Sequence, residues 1–157
     1  MKFAAALAAT ICLAILTSCG SSGGSSSIIP PVQAQSGYSN ASITGTYSFL
    51  LNQSGNVAAL GSFVTNGTGT ITSGTVTIGT GASGCSGTVT GNYSLSSTAS
   101  GTASLTFTIT SGASICTNNG WFAPSSLAFD IQAGSSGASL LLASSSNPNV
   151  QGTAVKQ

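Results

Sequence analysis

Thr102-Ala103-Ser104-Leu105-Thr106-Phe107-Thr108-Ile109-Thr110 alternates without a break. Ala103, Leu105, Phe107 and Ile109 fall on one face, and Ser and Thr take the other. A period of two is the mark of a half-buried β-strand. β-branched Thr suits the wet face of such a strand. The pattern repeats in both directions. Upstream, 87–96 aligns Val89, Tyr93 and Leu95, with Gly91 on the same face. In 69–79 the apolar residues change parity between Ile71 and Val76, and Gly74 between them predicts a β-bulge. Val57, Ala59 and Phe63 share a face in 57–66 with Gly61 among them, and Tyr47, Phe49 and Leu51 share one in 44–52. Downstream, 127–131 aligns Leu127, Phe129 and Ile131, 138–143 aligns Ala138, Leu140 and Leu142, and 150–155 is a short closing strand.

The joints agree with this reading. Asn66-Gly67 between two apolar runs is a strong hairpin signal. Ser54-Gly55-Asn56, Ser100-Gly101 and Gly134-Ser135-Ser136-Gly137 are turn material. No window after residue 20 shows a 3.6-residue period, so no helix is expected. About eight strands with short connections imply an antiparallel meander. Open sheets guard their edges with Lys, Pro or inward charges, and this domain has one Lys, at its extreme C-terminus. Closure removes edges altogether. The expected fold is all-β: a small antiparallel up-and-down β-barrel, lipocalin-like or avidin-like in general form, with a two-sheet β-sandwich as the alternative. Gly61 and Gly91 on inner faces fit sharp bends at barrel corners and fit a sandwich too.

Charged side chains make up 2% of the chain and there is no His, against a usual charged share of about 25%. No basic patch exists to neutralise phosphates, which excludes nucleic acid as an electrostatic partner. General acid–base catalysis needs a group that titrates near working pH. The β domain has one side-chain carboxylate, Asp130, so neither a carboxylate pair nor a Ser-His-Asp triad can be assembled. The chain reads as a non-enzyme with no cofactor and no metal site. Thr-x-Thr runs resemble flat ice-binding arrays, but those need a fixed-period repeat, and none is present.

The first 18 residues read as a signal peptide. Lys2 is the n-region, and 3–16 is almost wholly apolar. That run would span roughly 21 Å as a helix, short of the ~30 Å hydrocarbon core and suited to an h-region. Leu16-Thr17-Ser18-Cys19 follows, and resembles the lipobox of bacterial lipoproteins: an aliphatic residue, two small residues and Cys. The resemblance implies cleavage before Cys19 and diacylation of its sulfur, giving a bilayer as partner. Two or more acyl chains anchor stably, where one is marginal. Gly20 stands where an Asp resembles an inner-membrane retention signal, which points to the outer membrane of a diderm cell, on its periplasmic face or the cell surface. Residues 19–41 form a Ser/Gly/Pro tether, and 42–157 form the β domain. Gly45-Thr46-Tyr47-Ser48-Phe49, Gly61-Ser62-Phe63 and Gly87-Thr88-Val89-Thr90-Gly91-Asn92-Tyr93 resemble Gly/Thr-rich β domains of bacterial exported proteins of uncharacterised function. That resemblance implies no activity.

Of the four cysteines, Cys12 leaves with the signal peptide and Cys19 is the anchor. Cys85 and Cys116 remain, an even pair in an exported chain, where a disulfide is expected. Trp121-Phe122, after Asn118-Asn119-Gly120, reads either as an aromatic platform for a sugar or apolar ligand, or as a plug closing one barrel end. Asp130 reads as a ligand contact or as a solvent-facing strand residue. The expected function is a non-catalytic structural or interaction module of the cell envelope, partnered by an envelope protein. The alternative is a small-ligand binding barrel.

Overall fold

The computed structural model describes residues 37–157, except 56, 81–82 and 123–124. The expected signal peptide, Cys12, Cys19 and the expected tether up to residue 36 lie outside the described residues. Eight strands follow in chain order: β1 (Thr44–Gln53), β2 (Val57–Asn66), β3 (Thr70–Thr80), β4 (Ser83–Leu95), β5 (Ser100–Ser111), β6 (Ser126–Ala133), β7 (Ser139–Ser144) and β8 (Val150–Lys156). Each pairs antiparallel with the next, and β8 returns to β1, with Phe49 opposite Ala154. The result is a closed up-and-down barrel rather than a sandwich. Each described strand is thereby flanked on both sides, which is how so uncharged a sheet avoids an open edge strand.

The alternation dictates which side chains fill the barrel. Tyr47, Leu51, Val89, Leu105, Leu127 and Phe129 are all at most 1% exposed. The Phe63 ring stacks on Tyr47 at 5.5 Å and on Phe49 at 5.8 Å. The interior void bounded by Ile43, Phe63, Ile71, Tyr93 and Leu105 amounts to about 10 Å³, close to the least that holds one water. Outward positions on β5 are Thr and Ser throughout. Membrane-spanning barrels have the opposite arrangement, apolar outward and polar inward. Among the described residues no helix is long and apolar enough to cross a membrane.

Sequence parity breaks where expected. The β3 pairing with β4 shifts register between Ile71 and Thr75, and against β2 the unpaired residue is Thr72, two positions before Gly74. Three expectations are corrected. Ser100-Gly101 lies inside β5, and the turn falls at residues 96–99. Ala138 is exposed because it caps the C-terminal end of a 3₁₀ turn, Ser135–Gly137. A helix, α1 (Ala113–Asn118), stands where none was expected. Six residues are too few to show a helical period, and so short a helix is not stable alone.

Both ends of the barrel are stoppered. At the proximal end, where the described chain begins, a 3₁₀ turn (Asn40–Ser42) leads Ile43 into the core. Asn40 Oδ1 accepts the Leu95 amide at 2.8 Å. Tyr93 Oη donates to the Ile43 carbonyl at 2.7 Å, and Tyr47 Oη donates to the Gly137 carbonyl at 2.6 Å. Burial pushes the Tyr47 phenol above its ordinary value, with neighbouring Tyr93 adding to the effect. Burial raises Tyr93 too, while backbone groups of Gly69 and Gly67 pull the other way.

Candidate functional site at the distal cap

The distal end is closed by α1 and the residues after it. Gly112, at φ +68°, turns the chain out of β5 in a left-handed conformation that glycine takes without strain. Ile115 N–H then donates to the Gly112 carbonyl at 2.9 Å. Cys116 is buried and stands at disulfide distance from Cys85 on β4, with Cα atoms 6.0 Å apart. This pairing holds the helix over the barrel mouth. Trp121 N–H donates to the Cys116 carbonyl at 2.9 Å, so the turn after α1 is tied back to the same cysteine.

Trp121 and Phe122 part company there. Phe122 is 3% exposed and meets Phe107 edge-on at 6.2 Å. It lies in the core beneath the cap. Its backbone has φ +49°, rare for a non-glycine residue. Gln53, at the end of β1, holds it: Oε1 accepts the Phe122 amide at 2.6 Å, and Nε2 donates to the Gly120 carbonyl at 3.4 Å. Trp121 stays half-buried and lines an open cleft of about 400 Å³ with Ser83, Ser114, Ile115, Asn118 and Asn119. Asn119 Nδ2 donates back to the Ile115 carbonyl at 2.7 Å. An indole beside amides and hydroxyls can stack on an apolar ring face and hydrogen-bond to hydroxyls around it. It can move no proton near neutral pH.

Asp130 is elsewhere. It points outward from β6, between Thr102 and Ala143 on the neighbouring strands. It lines a shallow groove of about 820 Å³ on the side wall, with Leu50, Gln132, Leu141 and Gln151 among its neighbours. The groove shares no lining residue with the Trp121 cleft, so the structure does not bring the two candidates together. Among the described residues no three metal-ligating side chains converge. Gln53 was not singled out in the sequence, although the alternation of Tyr47, Phe49 and Leu51 continues to it and sets a polar residue at the inner end of a strand. Compared with known protein families, curated proteins and solved structures, the chain matches none of them.

Proposed function

We propose that this chain is a lipid-anchored, non-catalytic module of the bacterial cell envelope that presents its distal cap to a partner. The observation that carries the reading is the barrel's polarity along its axis. The chain joins the barrel at the proximal end, where Tyr38 N–H donates to the Ser97 carbonyl at 3.3 Å. The Trp121 cleft lies at the other end, beside Ser83 and α1. A body held by its proximal end turns its distal cap away from the bilayer. The packed interior supports a rigid spacer. The test is metabolic labelling of the full chain with a palmitate analogue. Label on the native chain and none on Cys19→Ser is the expected outcome. Equal labelling of both defeats the anchor.

A second reading is favoured by one feature, the pairing of Trp121 with Asn118 and Asn119. It makes the cap a carbohydrate contact. Trp121 is the only tryptophan in the chain, so its emission reports on this cleft alone. Titration with soluble envelope glycan fragments should change the emission. Emission unmoved up to millimolar glycan removes this reading and leaves the first intact.

A further inference from the structure

Asn-Gly occurs twice in the chain, at 66–67 in the turn from β2 to β3 and at 119–120 after α1. The two pairs share their exposure and their backbone. Asn66 and Asn119 are both exposed, so water reaches both. Gly67 and Gly120 both take the left-handed conformation, at φ +77° and +64°. Their hydrogen bonds differ. Asn66 Oδ1 accepts two backbone amides, Thr68 N–H at 2.9 Å and Thr70 N–H at 3.0 Å. Gly67 N–H has no acceptor among the described residues. Asn119 is held through its nitrogen instead, Nδ2 donating to the Ile115 carbonyl at 2.7 Å. The Gly120 N–H is taken by the Thr117 carbonyl at 3.1 Å.

We propose that Asn66 is a self-modification site, at which the Gly67 backbone nitrogen closes on the Asn66 side chain and converts it to an acid. Base takes the Gly67 amide proton, and the nitrogen attacks Asn66 Cγ. The new N–Cγ bond closes a five-membered ring, and electron density moves onto Oδ1 as the carbonyl becomes tetrahedral. The Cγ–Nδ2 bond then breaks, and Nδ2 leaves as ammonia with a proton from water. Water opens the cyclic imide at Cγ to give aspartate, or at the Asn66 backbone carbonyl to give isoaspartate. Nothing is oxidised or reduced. Both Asn-Gly pairs share the intramolecular attack and a glycine with no side chain to obstruct it. At Asn66 two N–H groups also point at the oxygen on which charge develops, as oxyanion donors do. The attacking nitrogen there has no hydrogen bond to give up. In a water-excluded site one such donor is worth about 10²–10³ in rate. On an exposed turn water competes, and the expected advantage over Asn119 is roughly tenfold. The described residues carry one acidic and one basic side chain, Asp130 and Lys156. Each conversion therefore adds a second side-chain or backbone carboxylate to a nearly uncharged surface. The aspartate product still accepts from Thr68 and Thr70, now in charge-assisted bonds. The isoaspartate product lengthens the backbone beside the Thr44–Asn66 pair at the end of the β1–β2 ladder. The net charge of the barrel thus changes with its age.

The chemistry needs neither an anchor nor a partner, so its test is independent of both. The experiment ages the full chain in mildly alkaline buffer and follows both sites by chymotryptic digestion and mass spectrometry. Cuts after Phe63, Tyr93, Phe107 and Trp121 put Asn66 and Asn119 in separate peptides. A parallel sample is held in guanidinium chloride, where local sequence alone acts and glycine follows both asparagines. The readout is the ratio of conversion at Asn66 to conversion at Asn119. The folded chain should give a ratio roughly ten times that of the denatured chain, and anything above about twice the denatured ratio supports the proposal. A lower folded ratio, or no conversion of Asn66 in the folded chain over the half-time of the denatured one, overturns it.

Discussion

Phe49 on β1 lies directly over Gly61 on β2, its Cζ 2.7 Å from the point where a Cβ of residue 61 would stand. On the other side that point runs into the carbonyl oxygen of Thr75. Neither neighbour can yield easily, because Phe49 is stacked on Phe63 and Thr75 belongs to the β2–β3 ladder. Overpacking of this kind costs about 1–3 kcal/mol. Gly61→Ala should therefore lower the melting temperature of the barrel by about 4–12 °C, at about 4 °C per kcal/mol. Gly55 is the comparison. It has φ +74° and nothing within 4 Å of its missing Cβ, so Gly55→Ala carries only a backbone penalty of about 1 kcal/mol. Equal losses at the two positions would refute the packing argument.

The Cys85–Cys116 pairing closes a loop with a sequence separation of 31. Constraining an unfolded loop of that size contributes about 3–4 kcal/mol. Cys116→Ser, or full reduction, should lower the melting temperature by about 12–16 °C. It should also free α1 from β4 before the barrel opens, shifting Trp121 emission to the red at a lower temperature than the loss of β circular dichroism. Coincident transitions would show that the cap and the barrel open as one unit even without the disulfide, against this expectation.

The strands could be read from the sequence because each wall residue's fate follows from local parity. Leu105 points inward for the same reason that Thr106 points outward, and closure followed from the lack of edge-guarding charges. The caps could not be read that way. Ile43 and Phe122 are seated by partners far along the chain, Tyr93 for the one and Gln53 for the other, and no period announces them. Trp121 and Phe122 are adjacent and chemically alike, yet the turn that sends one inward and leaves the other half-exposed depends on Gln53, about 70 residues upstream. The side-wall groove was also hidden, since it arises from residues that five strands bring side by side.

Stability should be flat between about pH 5 and 8, because the chain has no His. The alkaline side is different. Burial raises the folded-state values of Tyr47 and Tyr93 above the ordinary ~10 of an unfolded tyrosine. The folded protein then holds these protons more tightly than the unfolded chain does. The stabilisation is fully present below about pH 10 and is lost as pH rises through the raised folded-state values. Chemical denaturation from pH 6 to 11 should show a plateau and then a fall. Tyr47→Phe should make that fall shallower. It should also lower the plateau, because its hydrogen bond to Gly137 is gone. A midpoint between pH 5 and 8 would contradict this account.

Gln53 offers the sharpest test of how the cap is held. Its Oε1 takes the Phe122 amide at 2.6 Å, and its Nε2 reaches the Gly120 carbonyl more weakly at 3.4 Å. Phe122 sits in a left-handed conformation, which costs a non-glycine residue about 1–2 kcal/mol. The strain persists because the Gln53 bond and the Phe107 contact hold the residue in place. Gln53→Leu keeps the bulk and removes the acceptor, leaving an amide unpaired beneath the cap. The expected loss is about 1–3 kcal/mol, with Trp121 becoming more accessible to acrylamide quenching. Gln53→Glu keeps an oxygen facing the Phe122 amide and gives up only the weaker bond to Gly120. It should retain most of the stability and the native quenching. If Leu and Glu behave alike, the acceptor is not what seats Phe122, and the aromatic contact with Phe107 must do so alone.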